Sequence, residues 1–387
     1  MKHHTKLSRR QALSNMFTGS LGATAVVGSV HPVTSECQAA AIPNPVAQER
    51  NSVLMKVGSQ RGGTSRKNLE YLARHGVYNM DGGSPKSIRG GGWNLDDSIA
   101  KREACEHFGI SLDAYHLPLS SAGITRVSMP NIMMGKSPER DREIEVIQQM
   151  ISVAGKTEVR TLNYNTTIHP VLRTGRTLDP SRGNVRYSTW DYEKALTENR
   201  PNIVESEMSV DDVFENIAYF LERVIPVAEE YRVRLANHIA DPPTPSGFGG
   251  ITRWNSPDVF EGIKRFAQLS DSPSHGFNLC LGSVAEGLKD PRTEILPIIK
   301  WVGERKQIFN VHFRNIIGGY GSFQEVYPDN GDMDMFQVIK ALRDVAYDGM
   351  VMPDHIPTHA NREAGLQGFA FAFGYIKALI QAAGSES

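Results

Sequence analysis

The stretch VDDVFENIAYFLERVIPVAEEYRVRLANHI, residues 210–239, holds one helix and then one strand. Up to Glu229 its apolar residues recur at steps of three and four, the pattern of a helix that buries one face. RVRLANHI, residues 232–239, then runs short and strand-like. The same unit follows three more times. Pro257–Leu269 predicts a helix and GFNLCLGS (276–283) a strand; Glu294–Arg305 a helix and IFNVHFRNI (308–316) a strand; Met333–Val345 a helix and GMVMPDHI (349–356) a strand. Phe369–Ala383 closes the series as an amphipathic helix. Upstream, VLMKVGS (53–59), VYNMDGG (77–83), SLDAYHL (111–117) and EVRTLNYN (158–165) predict four earlier strands. Alternating strands and helices place the strands in one parallel sheet. About eight such units predict an α/β fold of the (β/α)8 TIM-barrel class. The polar, Arg- and Asn-rich segment at about 169–206 is expected as a long loop insertion over the barrel mouth, either a lid or a solvated insertion without a catalytic role.

Four residues of metal-ligand type sit at the ends of the last four predicted strands. His238 follows RVRLAN, Cys280 ends GFNL, His312 lies in IFNVHF, and Asp354 ends GMVMP. They are separated by 42, 32 and 42 residues, each about one strand-plus-helix unit. Parallel barrel strands bring their C-terminal ends to one rim, where barrel active sites are built. Imidazole, thiolate and carboxylate together suit a divalent transition metal rather than Mg or Ca. Open positions for substrate oxygens favour Mn2+ or Fe2+ over closed tetrahedral Zn2+. Each residue alone has a plainer reading: a satisfied polar histidine, a small buried thiol, or an N-capping aspartate. Their recurrence at matching strand ends is what points to a site.

Composition narrows the function classes. The 387-residue chain is 40% hydrophobic and 22% charged, with 42 basic and 43 acidic side chains and a formal net charge of −1. This balance gives no electrostatic reason to expect nucleic acid or an anionic membrane as partner. The three cysteines, Cys37, Cys105 and Cys280, imply no disulfide framework. Residues 1–41 differ from the rest: a basic start, a mildly apolar stretch from about Met16 to Val30, then Ala39, Ala40 and Ala41. That order is expected of a signal peptide, and Ser8-Arg9-Arg10-Gln11-Ala12-Leu13 resembles a twin-arginine signal. The expectation is an exported or periplasmic protein handled by the Tat machinery, with residues 42–387 forming a single barrel domain. A leader without function would leave the protein cytoplasmic. The sequence leaves a homo-oligomer open.

At the same four strand ends the chain resembles the mannonate dehydratase family, within the xylose-isomerase-like barrels. The similarity lies in His238-Ile239-Ala240-Asp241-Pro242-Pro243; in Asp271-Ser272-Pro273 through Cys280-Leu281-Gly282-Ser283; in His312-Phe313-Arg314-Asn315; in Ser322-Phe323-Gln324-Glu325 with Asp329–Met335; and in Met352-Pro353-Asp354-His355. Tyr164-Asn165, Arg173 and Arg176 resemble an earlier block. The resemblance implies His238, Cys280, His312 and Asp354 as metal ligands and His355 as an acid/base group beside the metal. It implies a lyase that removes water from a sugar acid, converting D-mannonate to 2-dehydro-3-deoxy-D-gluconate. Arg314 is then a candidate for a bidentate hold on the substrate carboxylate, or else a structural salt bridge. Tyr164, Asn165, Arg173 and Arg176 are candidate substrate contacts.

The chain departs from the family pattern after His355, where it reads Ile356-Pro357-Thr358-His359. Near Gly365–Phe369 some members carry an acid/base tyrosine, and here Gln367 stands without one. A neutral amide is no proton-transfer base, so His359 or Tyr327 is a candidate replacement. A metal-dependent sugar isomerase or epimerase, or another sugar-acid lyase, is the alternative on the same site. A periplasmic sugar-acid binding protein without turnover, and a barrel with an incidental polar rim, are alternatives of another class.

Overall fold

The computed structural model describes residues 53–198, 200–360 and 364–386. The leader expected at 1–41, Cys37 and the start of the expected barrel domain at residue 42 lie outside the described residues. Eight strands close into a parallel barrel: β1 (Lys56–Ser59), β2 (Asn79–Asp81), β3 (Ser111–His116), β4 (Thr161–Asn165), β7 (Arg234–His238), β8 (His275–Cys280), β9 (Ile308–Phe313) and β12 (Met350–Pro353). Seven of them fall within stretches read as strands from the sequence, and β8 begins one residue before its stretch, at His275. They pair in the order β1-β12-β9-β8-β7-β4-β3-β2.

The helices form because their apolar residues share one face. Val210–Glu230 buries Val213, Phe214, Ile217, Phe220, Leu221, Val224, Ile225 and Ala228, the three- and four-residue spacing that lays one stripe against the barrel. Its start is fixed by a capping box: the Ser209 hydroxyl accepts from the Asp212 amide, and the Asp212 carboxylate accepts from the Ser209 amide at 2.7 Å. The two orphan donors are thereby satisfied reciprocally. Most of the core lies between the barrel and its helices. Inside the barrel the apolar filling is small, with Ala114, Met350 and Met352 in contact. Above them the inward positions turn polar: Asn163 donates to Asp81 at 2.7 Å, and Asn310 to Asn278 at 3.2 Å.

The segment at 169–206 is not the extended loop expected of it. It contains strands β5 (Gly175–Asp179) and β6 (Val185–Asp191) and a short helix, Tyr192–Thr197. With β10 (Asn315–Gly319) and β11 (Ser322–Val326) they form a second, antiparallel sheet of order β10-β11-β6-β5. The short alternation of buried Val185, exposed Arg186 and buried Tyr187 in β6 was masked in the sequence by the surrounding polar residues. Since β10 follows β9 after a single residue, this sheet stands at the C-terminal end of β9, beside the barrel mouth. No helix among the described residues is long and apolar enough to cross a membrane.

Candidate metal centre

Strands β7, β8, β9 and β12 are consecutive neighbours, so the ends of four adjacent strands supply His238, Cys280, His312 and Asp354. One donor atom from each lies within 4.8 Å of all the others. His238 Nε2 is 3.2 Å from His312 Nδ1, Cys280 Sγ is 3.7 Å from Asp354 Oδ2, and His312 Nδ1 is 3.7 Å from the same oxygen. Ligands held about 2.0–2.3 Å from one ion stand roughly 3–4 Å apart, so the spacing fits a single metal. His238 Nδ1–H donates to the Ile239 carbonyl at 2.6 Å, which leaves Nε2 with its lone pair toward the cluster. His312 Nε2 meets the Asn278 amide at 3.1 Å, and Asn278 meets Asn310 in turn. These inward amides orient the second imidazole from behind.

The charge state suits ligation. Burial would raise the Cys280 thiol, but the Arg314 guanidinium and the His238 imidazole outweigh it and hold the thiol well below its usual range. Burial likewise opposes ionisation of Asp354, yet His355, His312 and Arg314 hold its carboxyl far below the ordinary value. Thiolate and carboxylate are the forms a metal needs. Gln60, just past β1, donates to Asp354 Oδ1 at 2.8 Å and fixes the carboxylate.

Behind the four donors lies a buried charge network. Arg314, fully buried, donates to Glu325 at 2.6 Å, to Asp241 at 2.8 Å, to the Ser283 hydroxyl at 2.7 Å and to Cys280 Sγ at 3.2 Å. Gly282 is obligatory here, because a Cβ would run into the Arg314 side chain. Arg173 pairs with Asp241 at 2.6 Å and with Glu325. Glu286 lies within 3.4 Å of both guanidinium groups. Burial keeps the Glu286 carboxyl well above its usual range, more strongly than Arg314 lowers it. Asp241 is pushed the other way: Arg173 and Arg314 overcome its burial and hold it well below. Two guanidinium groups thus face two carboxylates, Asp241 and Glu325, with a third acid, Glu286, whose ionisation burial resists, between them. Asp241, Glu325 and His355 also cluster, but the two arginines take their oxygens, so an ion-pair network accounts for them.

Several expected substrate contacts are placed elsewhere. Arg314 takes the salt-bridge alternative, since its side chain is 0% exposed and its donors are spent inside the protein. Arg173 pairs with the same carboxylates, and it also lines the cavity that holds Arg176. Tyr164 points away from the mouth, buried against Phe220 of the helix Val210–Glu230. Its neighbour Asn165 faces the other way, in register with His238 on the inner side. Arg176 and Arg186 line a cavity of about 270 Å³ with Ser188, Glu325, His355 and Thr358. His355 Nδ1 is 2.5 Å from Glu325 Oε1 and its side chain is 37% exposed. Burial disfavours its protonated form, but Asp354 and Glu325 outweigh both burial and Arg314, raising it to about 9. Its φ of 44° is a left-handed backbone, a strained setting that its anchored ring helps to hold. Neither candidate replacement for the missing tyrosine lines this cavity: His359 Nε2 meets the Gly183 carbonyl at 2.9 Å, and the Tyr327 ring packs on Phe371. Gln367 is exposed on the helix Ala364–Ser385.

The sequence reading missed Asp241, Glu286 and Glu325 as a network, because no spacing rule links them; only the topology brings them together. His116 also ends a strand, the signal that singled out His238, but the sequence alone assigns it no role.

The family model "D-mannonate dehydratase (UxuA)" matches residues 190–385. The chain is 31% identical over 298 residues to a mannonate dehydratase of Thermotoga neapolitana, covering 68% of this chain and 78% of that relative. The chain belongs to the mannonate dehydratase family. The crystal structure of mannonate dehydratase from Streptococcus suis serotype 2 superposes with a TM-score of 0.69 at 25% identity, covering 85% of this chain and 93% of that one. A xylose isomerase domain protein from Planctomyces limnophilus, 13% identical with a TM-score of 0.54 over 86% of this chain and 99% of its own, shares the fold. The barrel is thus xylose-isomerase-like. All four donor residues lie in the span matched by the family model, as do Glu325 and His355.

Proposed function

We propose that this chain is a hydro-lyase that converts D-mannonate to 2-dehydro-3-deoxy-D-gluconate with a divalent metal, Mn2+ or Fe2+, held by His238, Cys280, His312 and Asp354. The observation that carries the reading is the convergence of these four donors at one barrel mouth in a chain of this family. The proton at C2 leaves to a base, its electron pair forms the C2=C3 bond, and the C3–O bond breaks. The hydroxyl takes a proton and departs as water, and the enol ketonises. A metal held by these four residues would supply Lewis-acid stabilisation of the charge that develops on the substrate. His355 delivers the proton to the leaving hydroxyl: Glu325 holds Nδ1, and Nε2 stands 3.8 Å from Asp354 Oδ1, on the metal side. Arg173 and Arg314 hold the carboxylates that set this ring and the thiolate.

The test is to purify the mature chain without oxygen, measure its metal and assay D-mannonate with Mn2+ or Fe2+ added. Turnover that is lost on chelation and weakened in Cys280→Ser supports the reading. Stoichiometric metal without turnover would move the assignment to another sugar-acid lyase or to an isomerase, and a metal-free protein would sink it.

Arg176 and Arg186 serve as the carboxylate contacts in this reading, since both line the cavity beside His355. Replacing either with Ala should raise KM about tenfold or more with a smaller change in kcat, as expected for a charged hydrogen bond worth about 1.5–3 kcal/mol. An unchanged KM in both variants would remove the subsite. Export through the Tat system remains part of the proposal, resting on Arg9 and Arg10; a cytoplasmic location of the native protein would remove it.

A further inference from the structure

The reaction needs two proton-transfer groups, and His355 is the one assigned above on the metal side of the mouth. Across the barrel, β2, β3 and β4 present a second imidazole. His116 is the last residue of β3, in register with Asn163 of β4. Asp81, the last residue of β2, pairs with Ala114. Ala114, His116, Asn163 and Asp81 therefore share the inner face, while Tyr115 points outward against Trp93. His116 Nε2 lies 2.8 Å from Asp81 Oδ2. The Asp81 side chain is 1% exposed, and that of His116 is 40% exposed. Asp81 is itself fixed, accepting from Asn163 at 2.7 Å and from the Gly83 amide at 3.1 Å. A buried carboxylate on Nε2–H sets the tautomer, which leaves the Nδ1 lone pair on the exposed part of the ring.

We propose that His116, oriented by Asp81, is the second catalytic residue of the dehydration and takes the substrate's C2 proton at Nδ1. The inference rests on the dehydratase reading above. The C2–H bond breaks, the proton passes to Nδ1, and its electron pair becomes the C2=C3 bond as the C3 hydroxyl leaves with a proton from the opposite side. The imidazolium that results lies against the Asp81 carboxylate, which stabilises it. Burial alone would disfavour that cation, but the Asp81 carboxylate outweighs it, and the more distant Asp354 adds in the same direction. His116 and the four donors all stand at the C-terminal ends of strands of one closed parallel barrel, and so at the same mouth. His116 thus supplies what Gln367, His359 and Tyr327 do not: an oriented base on the inner face of the barrel.

The test compares the wild-type holoenzyme with His116→Ala, His116→Gln and Asp81→Asn. His116→Ala should lower kcat at least about 100-fold, the usual worth of a positioned base, with KM within a few fold and the metal content unchanged. Imidazole added to the His116→Ala variant should restore part of the rate, and the rescued reaction should slow with 2-deuterated mannonate. Asp81→Asn should lower kcat about tenfold, because the ring keeps its place but loses the partner of its cation. Unchanged kcat, an effect on KM alone, loss of metal from both His116 variants, or a loss of rate that imidazole does not restore would overturn the assignment. A metal-loaded wild type that leaves D-mannonate untouched would take down the dehydratase reading and this inference together; an active wild type matched by an equally active His116→Ala would take down this inference alone.

Discussion

Arg314→Leu is expected to destabilise the protein by about 3–5 kcal/mol, the usual effect of removing one partner from a buried ion pair. Arg314 is 0% exposed and is shared among Asp241, Glu286 and Glu325. Its loss leaves Arg173 to face two ionised carboxylates with no water to take up the difference. Arg314→Lys should recover little, since one ammonium group does not reproduce the forked contacts to Glu325, Asp241 and Ser283. Glu286→Gln is the control: burial holds that carboxyl well above its usual range, so an amide of the same shape should cost within about 1 kcal/mol. The acid limb reports the same network. Burial opposes ionisation of Glu325, but His355, Arg173 and Arg314 outweigh it and bring the carboxyl from 4.5 to about 2. A carboxyl lowered on folding contributes stability above its unfolded value, and that contribution is lost as pH falls through 4.5 toward 2. Denaturant unfolding of the metal-free protein at pH 7 and pH 3.5 checks both points. A mild Arg314→Leu variant, or a Glu286→Gln variant as damaged as Asp241→Asn, would mean that the charge states are assigned wrongly.

The barrel was legible because each of its strands is short, bounded and followed by a helix with an apolar stripe, as in 210–239. The donor set was legible for the same reason: a parallel barrel converts a repeat in sequence into a ring in space, so His238, Cys280, His312 and Asp354 announce themselves by interval. Side-chain direction was less visible. Tyr164 and Asn165 are adjacent in sequence and face opposite sides of the sheet, so one docks on Phe220 and the other lies beside His238. Arg173 and Arg176 look alike in a polar stretch; both line the cavity, but only Arg173 is drawn into the buried carboxylates, while Arg176 lies on β5. Those outcomes depend on β5 and β6 joining β10 and β11 across more than a hundred residues, and no local pattern reports such a pairing.

His355→Asn is expected to lower kcat by about 10²–10⁴-fold, the range for a positioned acid or base, with metal content unchanged. Asn is the informative replacement because the backbone here has a φ of 44°. Asn accepts that left-handed conformation nearly as well as His, whereas a bulky or β-branched residue would add strain unrelated to the ring. The substitution therefore removes the titrating group and little else. Glu325→Gln should fall between the variant and the wild type, because Nδ1 keeps a neutral acceptor in place of the carboxylate now 2.5 Å away. If His355 delivers the proton to the departing hydroxyl, a substrate analogue whose leaving group needs no protonation, such as fluoride at C3, should react at similar rates with His355→Asn and wild type. The same analogue should still fail with His116→Ala, because the C2 proton must leave in either case. Equal loss of both substrates in His355→Asn would instead make His355 a positioning residue for the metal side of the mouth, and a kcat within tenfold of wild type would remove it from proton transfer altogether.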